Sequence, residues 1–510
     1  MGVVGTVYLV GAGPGDPGLI TVRGAELLGR AGAVVHDNLS DRALLDLAPA
    51  SAELHDVARG DGSGHTIGRE RIAELLATLG GRHAVVVRLT GGDPFVFGYA
   101  GEELLRLRAA GIAWEIVPGV TSAVAAPAAA GIPVTHRRVA RAVTFFGDHP
   151  DPERGAGGTD WSALASVPGT LVSLMGVGRL AEIAAALVAG GRAASTPAAV
   201  VRRGATPRQE VVVGTLGDIA ERARERGVRP PAVLVVGEVV ALRERIGWFE
   251  QRPLFGRAVL VTRPRAQAGG LGERLRELGA DVVPAPVFRI VPPADPAPLR
   301  EAAARLDGFD WVFLTSANGV DALFEVLDAA GRDGRAFGAA RIAAIGPGTA
   351  AALRRRGVRA DLVPRRFVAE GILEAFAGID LSRARVLVWR AEGARDVLPE
   401  GLRAGGAVVA EVQAYRLADE PLDPKVAERI DAGGIDAAIF TSASTVRGLR
   451  RALGGERFSR LASRALLAAI GPVTADALRD CGAPVGVEAA EHTVGGVVDA
   501  LVARLREGEA

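Results

Sequence analysis

The sequence predicts an α/β protein of several lobes, built from mostly parallel sheets with helices packed on their faces. Short apolar, β-branched runs such as HAVVVRL (83–89) and AVLVVGEVV (232–240) alternate with Ala-, Leu- and Arg-rich stretches of helical period. This alternation is typical of strands buried on both faces of a sheet. With 510 residues, the chain is too long for one ordinary domain. Ligands of such sheets bind beyond the carboxyl ends of strands, so the residues that follow each apolar run are the informative ones.

Composition excludes several classes of function. The net charge of +1 gives no electrostatic reason to expect binding to nucleic acid or to an anionic membrane. A single cysteine, Cys481, excludes a disulfide framework, and the seven histidines show no metal-ligand spacing, so we expect no metal. No signal peptide is visible, and prolines interrupt the uncharged stretch 117–134, so we expect a cytoplasmic protein without a membrane span.

The first turn, GAGPGD at 11–16, follows an apolar strand and, like a dinucleotide-binding turn, is rich in glycine. A dinucleotide fingerprint needs glycine at its sixth position, where Asp16 stands. Pro14 lacks the backbone N–H that a pyrophosphate would use. Asp37 follows the second strand at about the spacing of a ribose contact, so a dinucleotide stays open as the less favoured alternative.

Two further turns follow strands in the same lobe. RLTGGDPFVFG (88–98) combines glycines, which allow close backbone approach, with an acid that can accept hydrogen bonds. VPGVTSA (117–123) places two hydroxyls at a predicted helix start, where they cap the helix or hold a ligand. Each turn alone has an ordinary structural interpretation, but three at strand ends of one lobe form a candidate site.

The second half of the sequence repeats itself. VLVTRP (259–264) resembles VLVWRA (386–391), and DWVFLTSANGV (310–320) resembles DAAIFTSASTV (436–446). A third pair is RIAAIGPGTAAALRRRGV and LLAAIGPVTADALRDCGA, and all three pairs are 125 to 127 residues apart. The near-constant spacing predicts two similar α/β lobes, either around a ligand cleft or as a duplication with one working lobe.

The first half carries seven distinctive segments in this order: GAGPGD, VVHDNLSD, RLTGGDPFVFG, PGVTSAVAAPAAAGIPVTHR, TLVSLMGVGRL, TPAAVVRRG and PAVLVVGEVVALR. Through these segments, residues 5–249 resemble uroporphyrinogen-III C-methyltransferases. The resemblance implies two lobes, about 5–117 and 122–249, that clasp S-adenosylmethionine, usually in a homodimer. It also implies a cofactor site lined by Pro14, Gly91, Gly92, Asp93, Val96, Thr121, Ser122, Met175, Gly204 and Ala232.

The implied reaction methylates rings A and B of uroporphyrinogen III to give precorrin-2. A sulfonium methyl is already activated, so the enzyme mainly aligns a pyrrole carbon with it. A proton must then leave, and Asp37, which matches the strand-end aspartate of the family, is the candidate base; the alternative is a helix cap.

The sequence departs from the family at three positions. Arg59 stands where the family usually has a lysine considered as a proton donor; arginine stays protonated, which disfavours that role and leaves binding of a substrate carboxylate open. Thr90 and Tyr99 replace a usual lysine and arginine, so two cationic contacts to an octacarboxylate are missing. The nearby arginines either compensate or are solvated surface: Arg88, Arg137, Arg138 and Arg141.

The second half, 257–510, resembles uroporphyrinogen-III synthases through VLVTRP, VFLTSANGV, AAIGPGTAAAL, EVQAYRL, IFTSAS and AAIGPVTADAL. The resemblance implies one lobe made of 257–286 and 417–510, an inserted lobe at 288–415, and a linker at 250–256. The implied reaction cyclises hydroxymethylbilane, so the protein mainly holds the chain ends together. The candidate substrate contacts after apolar runs are Thr262, Arg263, Ser316, Asn318, Thr349, Ser442, Ser444 and Thr474. Tyr415 matches a tyrosine that the family uses near the leaving group; its alternative is a packing residue.

Together the halves indicate a bifunctional enzyme of tetrapyrrole biosynthesis, because the product of one is the substrate of the other. One alternative is a methyltransferase of a later corrinoid intermediate, and another is a tetrapyrrole-binding regulator with an inactive site. Both cobalamin and sirohaem are open as destinations of the product.

Overall fold

The computed structural model describes residues 5–37, 41–58, 68–147, 159–263 and 265–507. They form four five-stranded sheets with helices packed against them, as the alternating sequence predicts. The chain divides into two compact units. One runs to residue 258 and includes 273–282 and the segment from 506 on, and the other comprises 259–272 and 283–505. Within the described residues, none of the helices has the length and apolar character needed to cross a membrane.

The first sheet is parallel and has the strand order β3-β2-β4-β1-β5. Its strands are β1 (Thr6–Gly11), β2 (Ala33–His36), β3 (Glu53–Asp56), β4 (Val85–Thr90) and β5 (Ala113–Val117). The helices of this lobe are α1 (Val22–Leu28), α2 (Arg69–Gly80) and α3 (Ala100–Ala109). Apolar side chains on both faces of β1, β2 and β4 are buried, which is why these strands read as continuous hydrophobic runs.

The second sheet has the order β6-β7-β10-β8-β9. Its strands are β6 (Val143–Gly147), β7 (Thr170–Leu174), β8 (Pro197–Arg202), β9 (Glu210–Thr215) and β10 (Ala232–Val236). The helices are α4 (Ser122–Ala129), α5 (Trp161–Ser166), α6 (Leu180–Ala189), α7 (Ile219–Glu225) and α8 (Arg243–Ile246). Only β6 and β7 pair in parallel, so the expectation of mostly parallel sheets is wrong here. A buried apolar run does not encode strand direction, and the short 203–209 connection makes β8 and β9 a hairpin.

The third sheet, of order β12-β11-β18-β19-β20, is assembled from two distant parts of the chain. Its strands are β11 (Ala258–Val261), β12 (Asp281–Pro284), β18 (Ala437–Phe440), β19 (Leu466–Ala469) and β20 (Val487–Glu488). The helices beside it in the sequence are α9 (Arg265–Glu277), α15 (Pro424–Asp431), α16 (Ala443–Arg464), α17 (Pro472–Asp480) and α18 (Val494–Glu507), and α16 bends at Gly454.

The fourth sheet uses the chain between these parts, in the order β13-β17-β16-β14-β15. Its strands are β13 (Phe288–Val291), β14 (Trp311–Leu314), β15 (Arg341–Ala344), β16 (Arg385–Ala391) and β17 (Val408–Asp419). The helices are α10 (Ala297–Ala304), α11 (Ala317–Ala329), α12 (Pro347–Arg355), α13 (Ala369–Phe376) and α14 (Val397–Ala404). The β17 strand pairs in parallel with β16 and antiparallel with β13.

The internal sequence repeat appears in the topology of these two sheets. The repeated segments supply β11, β18 and β19 in the third sheet and β16, β14 and β15 in the fourth, in the same spatial order. The helices that follow also begin alike: Ser316 and Ser442 cap α11 and α16, and a proline starts both α12 and α17. The repeat therefore encodes two similar α/β lobes.

Short 3-10 turns complete the fold at Pro17–Leu19, Arg42–Leu47, Val177–Arg179, Glu238–Leu242, Phe249–Gln251, Leu306–Gly308 and Gly334–Phe337. Within the segment expected to be a linker, 250–256, Leu254 is buried and Glu250 accepts a hydrogen bond from Gln209.

Candidate active site

The three glycine-containing turns of the first lobe meet at one edge of the first sheet. Because β4, β1 and β5 are parallel neighbours, their carboxyl ends lie side by side. Gly13 and Gly92 exchange two backbone hydrogen bonds, of 3.2 Å and 2.8 Å. A Cβ on Gly11 would lie 2.5 Å from the Cα of Gly119, so these turns touch backbone to backbone. The structure thus brings together the turns that the sequence singled out.

This arrangement does not suit a dinucleotide. Thr21 caps α1, which begins at Val22, well beyond the glycine turn. The N–H and C=O of Gly13 are already paired with Gly92. The turn leads instead into the short 3-10 helix Pro17–Leu19, where Pro17 has no N–H and the N–H groups of Gly18 and Leu19 both donate to Asp16, so they are not available to a pyrophosphate.

The neighbouring ends of β6, β7, β10 and β8 form a corresponding edge of the second sheet. Met175 follows β7 with a φ of 60°, and Arg203 and Ala205 follow β8 with φ of 47° and 61°. Residues with side chains rarely adopt this left-handed region, and it concentrates at functional sites. Ala232 begins β10 opposite Arg202, next to this strained turn.

Close contacts join the turns of the two lobes. A Cβ on Gly15 would lie 2.7 Å from Cγ2 of Thr206, and one on Gly147 would lie 3.0 Å from Cδ1 of Phe97. The side chain of Met175 is 48% exposed and also lies close to Gly147 at the end of β6, because its Cε would be 3.7 Å from a Cβ on that glycine. An accessible thioether and aromatic ring therefore flank the space between the two edges.

The predicted cofactor residues all lie along these two edges. The turns of the first lobe carry Pro14, Gly91, Gly92, Asp93 and Val96; the start of α4 carries Thr121 and Ser122; and the second sheet carries Met175, Gly204 and Ala232. Gly204 packs so closely on α4 that a Cβ would lie 2.3 Å from Cβ of Ala126. Only glycine permits that approach.

Two of the predicted polar residues hold the turns in place. Asp93 accepts backbone hydrogen bonds from Phe95 at 2.8 Å and from Gly119 at 2.9 Å, so it ties the turn after β4 to the turn after β5. Thr121 caps α4, and its hydroxyl accepts from Ala123 N–H at 3.3 Å. Of the two interpretations of Thr121, the structure shows the helix cap.

Asp37 stands at the carboxyl end of β2, where it shares a buried arginine with a second carboxylate. Arg88, on the adjacent β4, has Nη1 3.7 Å from Oδ2 of Asp37 and Nε 3.4 Å from Oε1 of Glu103. Arg88 also donates to the carbonyl of Leu89 at 3.0 Å. Since Arg88 is only 6% exposed, it is neither a solvated surface residue nor an accessible contact for a substrate carboxylate.

The three departures from the family pattern are placed differently. Arg59 lies outside the described residues. Tyr99 is exposed at the start of α3. Thr90 ends β4, and its hydroxyl is buried with no hydrogen-bond partner in the described part of the chain.

Sequence reasoning missed a buried polar chain behind the strained turn. Ala205 N–H donates to Oε1 of Gln209 at 2.9 Å, and Gln209 Nε2 donates to Oε1 of Glu250 at 2.8 Å. Glu250 in turn pairs with Arg243 at 3.0 Å, and Arg243 donates to the carbonyl of Ala130. No local motif indicates this chain of contacts, because it joins three separate segments of the sequence, around residues 130, 205–209 and 243–250.

In the C-terminal half, the predicted serines act first as helix caps. Ser316 accepts from Gly319 N–H at 3.0 Å, and Ser442 accepts from Thr445 N–H at 3.3 Å. The two differ in their second contact. Tyr415 donates its hydroxyl to Oγ of Ser316 at 3.0 Å, whereas Ser442 hydrogen-bonds with Ser444 at 2.8 Å.

Tyr415 and Asn318 lie at a groove of about 740 Å³ in the inserted lobe, bounded by α10, α11 and β17. The ring of Tyr415 is mostly buried, and its hydroxyl makes the polar contact with Ser316. This places the predicted tyrosine and the predicted serine and asparagine in one region.

The predicted threonines lie inside the lobes. Thr262 is fully buried, and its hydroxyl donates to the carbonyl of Ile439 at 3.0 Å, so it joins β11 to β18. Thr349 and Thr474 are also buried, each in the first turn of its helix. All three side chains are buried in this structure, and the expectation that their hydroxyls contact substrate stays a prediction. Arg263, beside Thr262, is half-buried, and burial lowers the pKa of its guanidinium.

Comparison with known proteins matches both halves. The family of tetrapyrrole (corrin/porphyrin) methylases matches residues 6–220, and the family of uroporphyrinogen-III synthase HemD matches residues 270–499. The porphyrin biosynthesis protein HemD of Ruminiclostridium josui is 38% identical over 450 residues, which cover 87% of this chain and 88% of that protein. The chain belongs to this HemD family. It joins a tetrapyrrole methylase half to a uroporphyrinogen-III synthase half.

The methylase half has relatives of its own. An S-adenosyl-L-methionine-dependent uroporphyrinogen III methyltransferase from Methanosarcina barkeri is 49% identical over 251 residues, which cover 49% of this chain and 97% of that protein. A crystal structure of a uroporphyrin-III C-methyltransferase from Thermus thermophilus, complexed with S-adenyl homocysteine, covers 47% of this chain and 100% of that chain at 42% identity, with a TM-score of 0.40.

Proposed function

We propose that this protein cyclises hydroxymethylbilane to uroporphyrinogen III, with inversion of ring D and loss of water, and then methylates that product twice to give precorrin-2. One observation carries the proposal: the likeness to a single porphyrin biosynthesis protein continues through both halves for 450 residues. The methylase half adds 49% identity to a protein named for this methylation.

The residues between the two methylase edges fit S-adenosylmethionine. The exposed Met175 and Phe97 offer apolar surface for an adenosine, and the orphaned Thr90 hydroxyl lies beside the Gly91–Gly92 turn. Gly11 and Gly119 pack so closely that there is no room for a side chain between them. The surface of these turns therefore consists of main-chain groups. Bound there, S-adenosylmethionine would supply a methyl group activated as a sulfonium.

The chain itself orients the substrate and accepts a proton in this proposal. The pyrrole carbon forms the new bond with its π electron pair, the bonding pair of the broken C–S bond stays on sulfur, and the methylated ring then loses a proton. Asp37, held at the end of β2 near Arg88, accepts that proton. The positioning of the two reactants is the main contribution to the rate.

In the synthase half, Tyr415 is the proposed residue at the leaving hydroxyl. Its O–H already donates to Ser316, which fixes its orientation at the groove. Ser316, Asn318, Ser442, Ser444 and Arg263 remain the proposed substrate contacts, because their side chains are at least partly exposed. Holding the ends of a linear tetrapyrrole together selects the attacking carbon.

The remaining expectations from the resemblance belong to the same proposal. The methyltransferase comprises residues 1–249, and the synthase comprises 257–510. The protein is a cytoplasmic homodimer through the methylase half, and Arg59 binds a substrate carboxylate. Fusion of the halves raises the effective concentration of one active site near the product of the other.

The test is anaerobic incubation of the full chain with hydroxymethylbilane and S-adenosylmethionine, followed by mass and isomer analysis. The proposal predicts a type III product that carries two added methyl groups. Unmethylated uroporphyrinogen III would refute the methyltransferase assignment, and the type I isomer alone, which forms without catalysis, would refute the synthase assignment.

A further inference from the structure

Glu103 is a buried acid that the proposed reaction does not use. It lies in the first turn of α3, is 5% exposed, and places Oε1 3.4 Å from Nε of Arg88. Its other oxygen, Oε2, has no hydrogen-bond partner among the described residues. A buried carboxylate with one unsatisfied oxygen is costly and calls for an explanation beyond packing.

Arg88 links this acid to the candidate base. Its guanidinium lies between Glu103 on α3 and Asp37 at the end of β2, with the Asp37 carboxylate 3.7 Å away. One buried positive charge therefore faces two carboxyl groups. An arginine paired with Asp37 alone would hold that carboxylate firmly in its charged form and weaken it as a proton acceptor.

The α3 helix, which carries Glu103, packs on an apolar core. The α2 helix contributes Ile72 and Leu76 to the core that α3 shares, and Glu102 on the same helix points to solvent. His36, next to Asp37, places Nδ1 3.3 Å from the Asp37 carbonyl. Burial raises the pKa of Glu103, Arg88 lowers it, and the charges of Asp37 and Glu102 raise it further.

We propose that Glu103 is a positioning residue for methyl transfer: its carboxylate balances the charge of Arg88, so that Arg88 orients Asp37 without suppressing its basicity. This inference rests on the proposed function, in which Asp37 takes the proton released by the methylated ring. Glu103 acts through Arg88 and does not touch the substrate.

The experiment compares the full-length wild type with Glu103→Gln, Glu103→Asp and the control Glu102→Gln, which changes the adjacent exposed acid. The kcat for methylation of uroporphyrinogen III is measured against pH. In Glu103→Gln, Asp37 is the one carboxylate of the two that still faces the charge of Arg88. We therefore expect the acid limb of the kcat–pH profile to move down by about one pH unit and its plateau to fall about tenfold. Glu103→Asp keeps the charge and should stay near the wild-type profile, as should Glu102→Gln.

A double-variant cycle separates this role from a purely structural one. If Glu103 acts through Asp37, Glu103→Gln should cause no further loss of kcat in an Asp37→Asn background. Thermal unfolding of the same preparations, followed by circular dichroism, reports whether the variants are folded, and synthase activity serves as an internal standard for the amount of protein. An unshifted pH profile, or losses that multiply in the double variant, would overturn the inference.

Failure of the proposed function would look different. A wild-type protein that does not methylate uroporphyrinogen III would refute the methyltransferase assignment itself. Full activity of Asp37→Asn would refute the role of Asp37 and, with it, the role of Glu103, while leaving the methyltransferase assignment intact.

Discussion

The two halves of the chain build the ends of their strands in different ways. In the methylase half, the turns rely on the backbone: Met175, Arg203 and Ala205 have positive φ, and Gly11 touches Gly119. In the synthase half, the repeated Ser–helix junctions rely on side-chain hydroxyls in ordinary extended backbone. We therefore expect the activity of the methylase half to be lost when a methyl group is added at a turn glycine, and the activity of the synthase half to fall when a hydroxyl is removed.

The largest effect should come from Gly119→Ala in the methylase half. Its Cβ would lie 2.2 Å from the carbonyl oxygen of Gly92, which forces the turns after β4 and β5 apart. Misplaced turns should reduce methylation kcat/KM by about a hundredfold or more, because catalysis depends on alignment. Gly178→Ala is the matched control, since its Cβ would meet nothing within 4 Å. Synthase activity should be unchanged in both, and near-normal methylation by Gly119→Ala would contradict the backbone-built site.

A smaller effect is expected when one hydroxyl is removed from the synthase half. Tyr415→Phe deletes the hydroxyl that donates to Ser316 and should lower synthase kcat about tenfold while leaving methylation intact. The measurement is the rate at which type III uroporphyrinogen forms, together with its ratio to the type I isomer.

The paired serines show whether the two synthase lobes are equivalent. Ser316→Ala and Ser442→Ala should each cost about 1 kcal/mol of stability through the lost helix cap. Only Ser316→Ala also removes the partner of Tyr415, so it should lower synthase kcat more than Ser442→Ala does. Equal kinetic losses would argue against a special role for Tyr415.

A weaker effect should follow from loosening the strained methylase turn. Gln209→Ala removes the acceptor of the buried Ala205 N–H and the amide that donates to Glu250, which keeps its ion pair with Arg243. We expect a rise of about fivefold in KM for S-adenosylmethionine with little change in kcat, since the turn borders the proposed cofactor site. Gln251→Ala, which changes an exposed glutamine nearby, is the control and should leave KM unchanged.

The smallest effect concerns the pH dependence of stability. Burial raises the pKa of Glu103 above its ordinary value of 4.5, so the folded state holds this proton more tightly than the unfolded state. This contribution to stability is present below pH 4.5 and is lost as pH rises through the folded-state pKa. Calorimetry of the full chain should therefore show Glu103→Gln gaining stability relative to wild type as pH increases. A pH-independent difference would mean that Glu103 ionises alike in both states.

Much of the fold was accessible from the sequence. Apolar runs marked the strands, the spaced repeat predicted the twin synthase lobes, and the turns around Gly11, Gly91 and Gly119 were grouped correctly. The antiparallel pairing of β8 and β10 was not predicted, because hydrophobic pattern carries no strand direction. The burial of Thr262 was missed for a similar reason: a residue at a strand end can face either the cleft or the core.

Local composition and order were sufficient to predict the family, the α/β class, the repeat and the positions of the turns. Which charges meet depends on how the chain folds. Arg88, Glu103 and Asp37 come from a strand, a helix and the end of another strand, and the order of the sheet together with the packing of α3 on it brings them within reach. A buried charge needs its partner in space and not in sequence, so no local pattern could reveal this group.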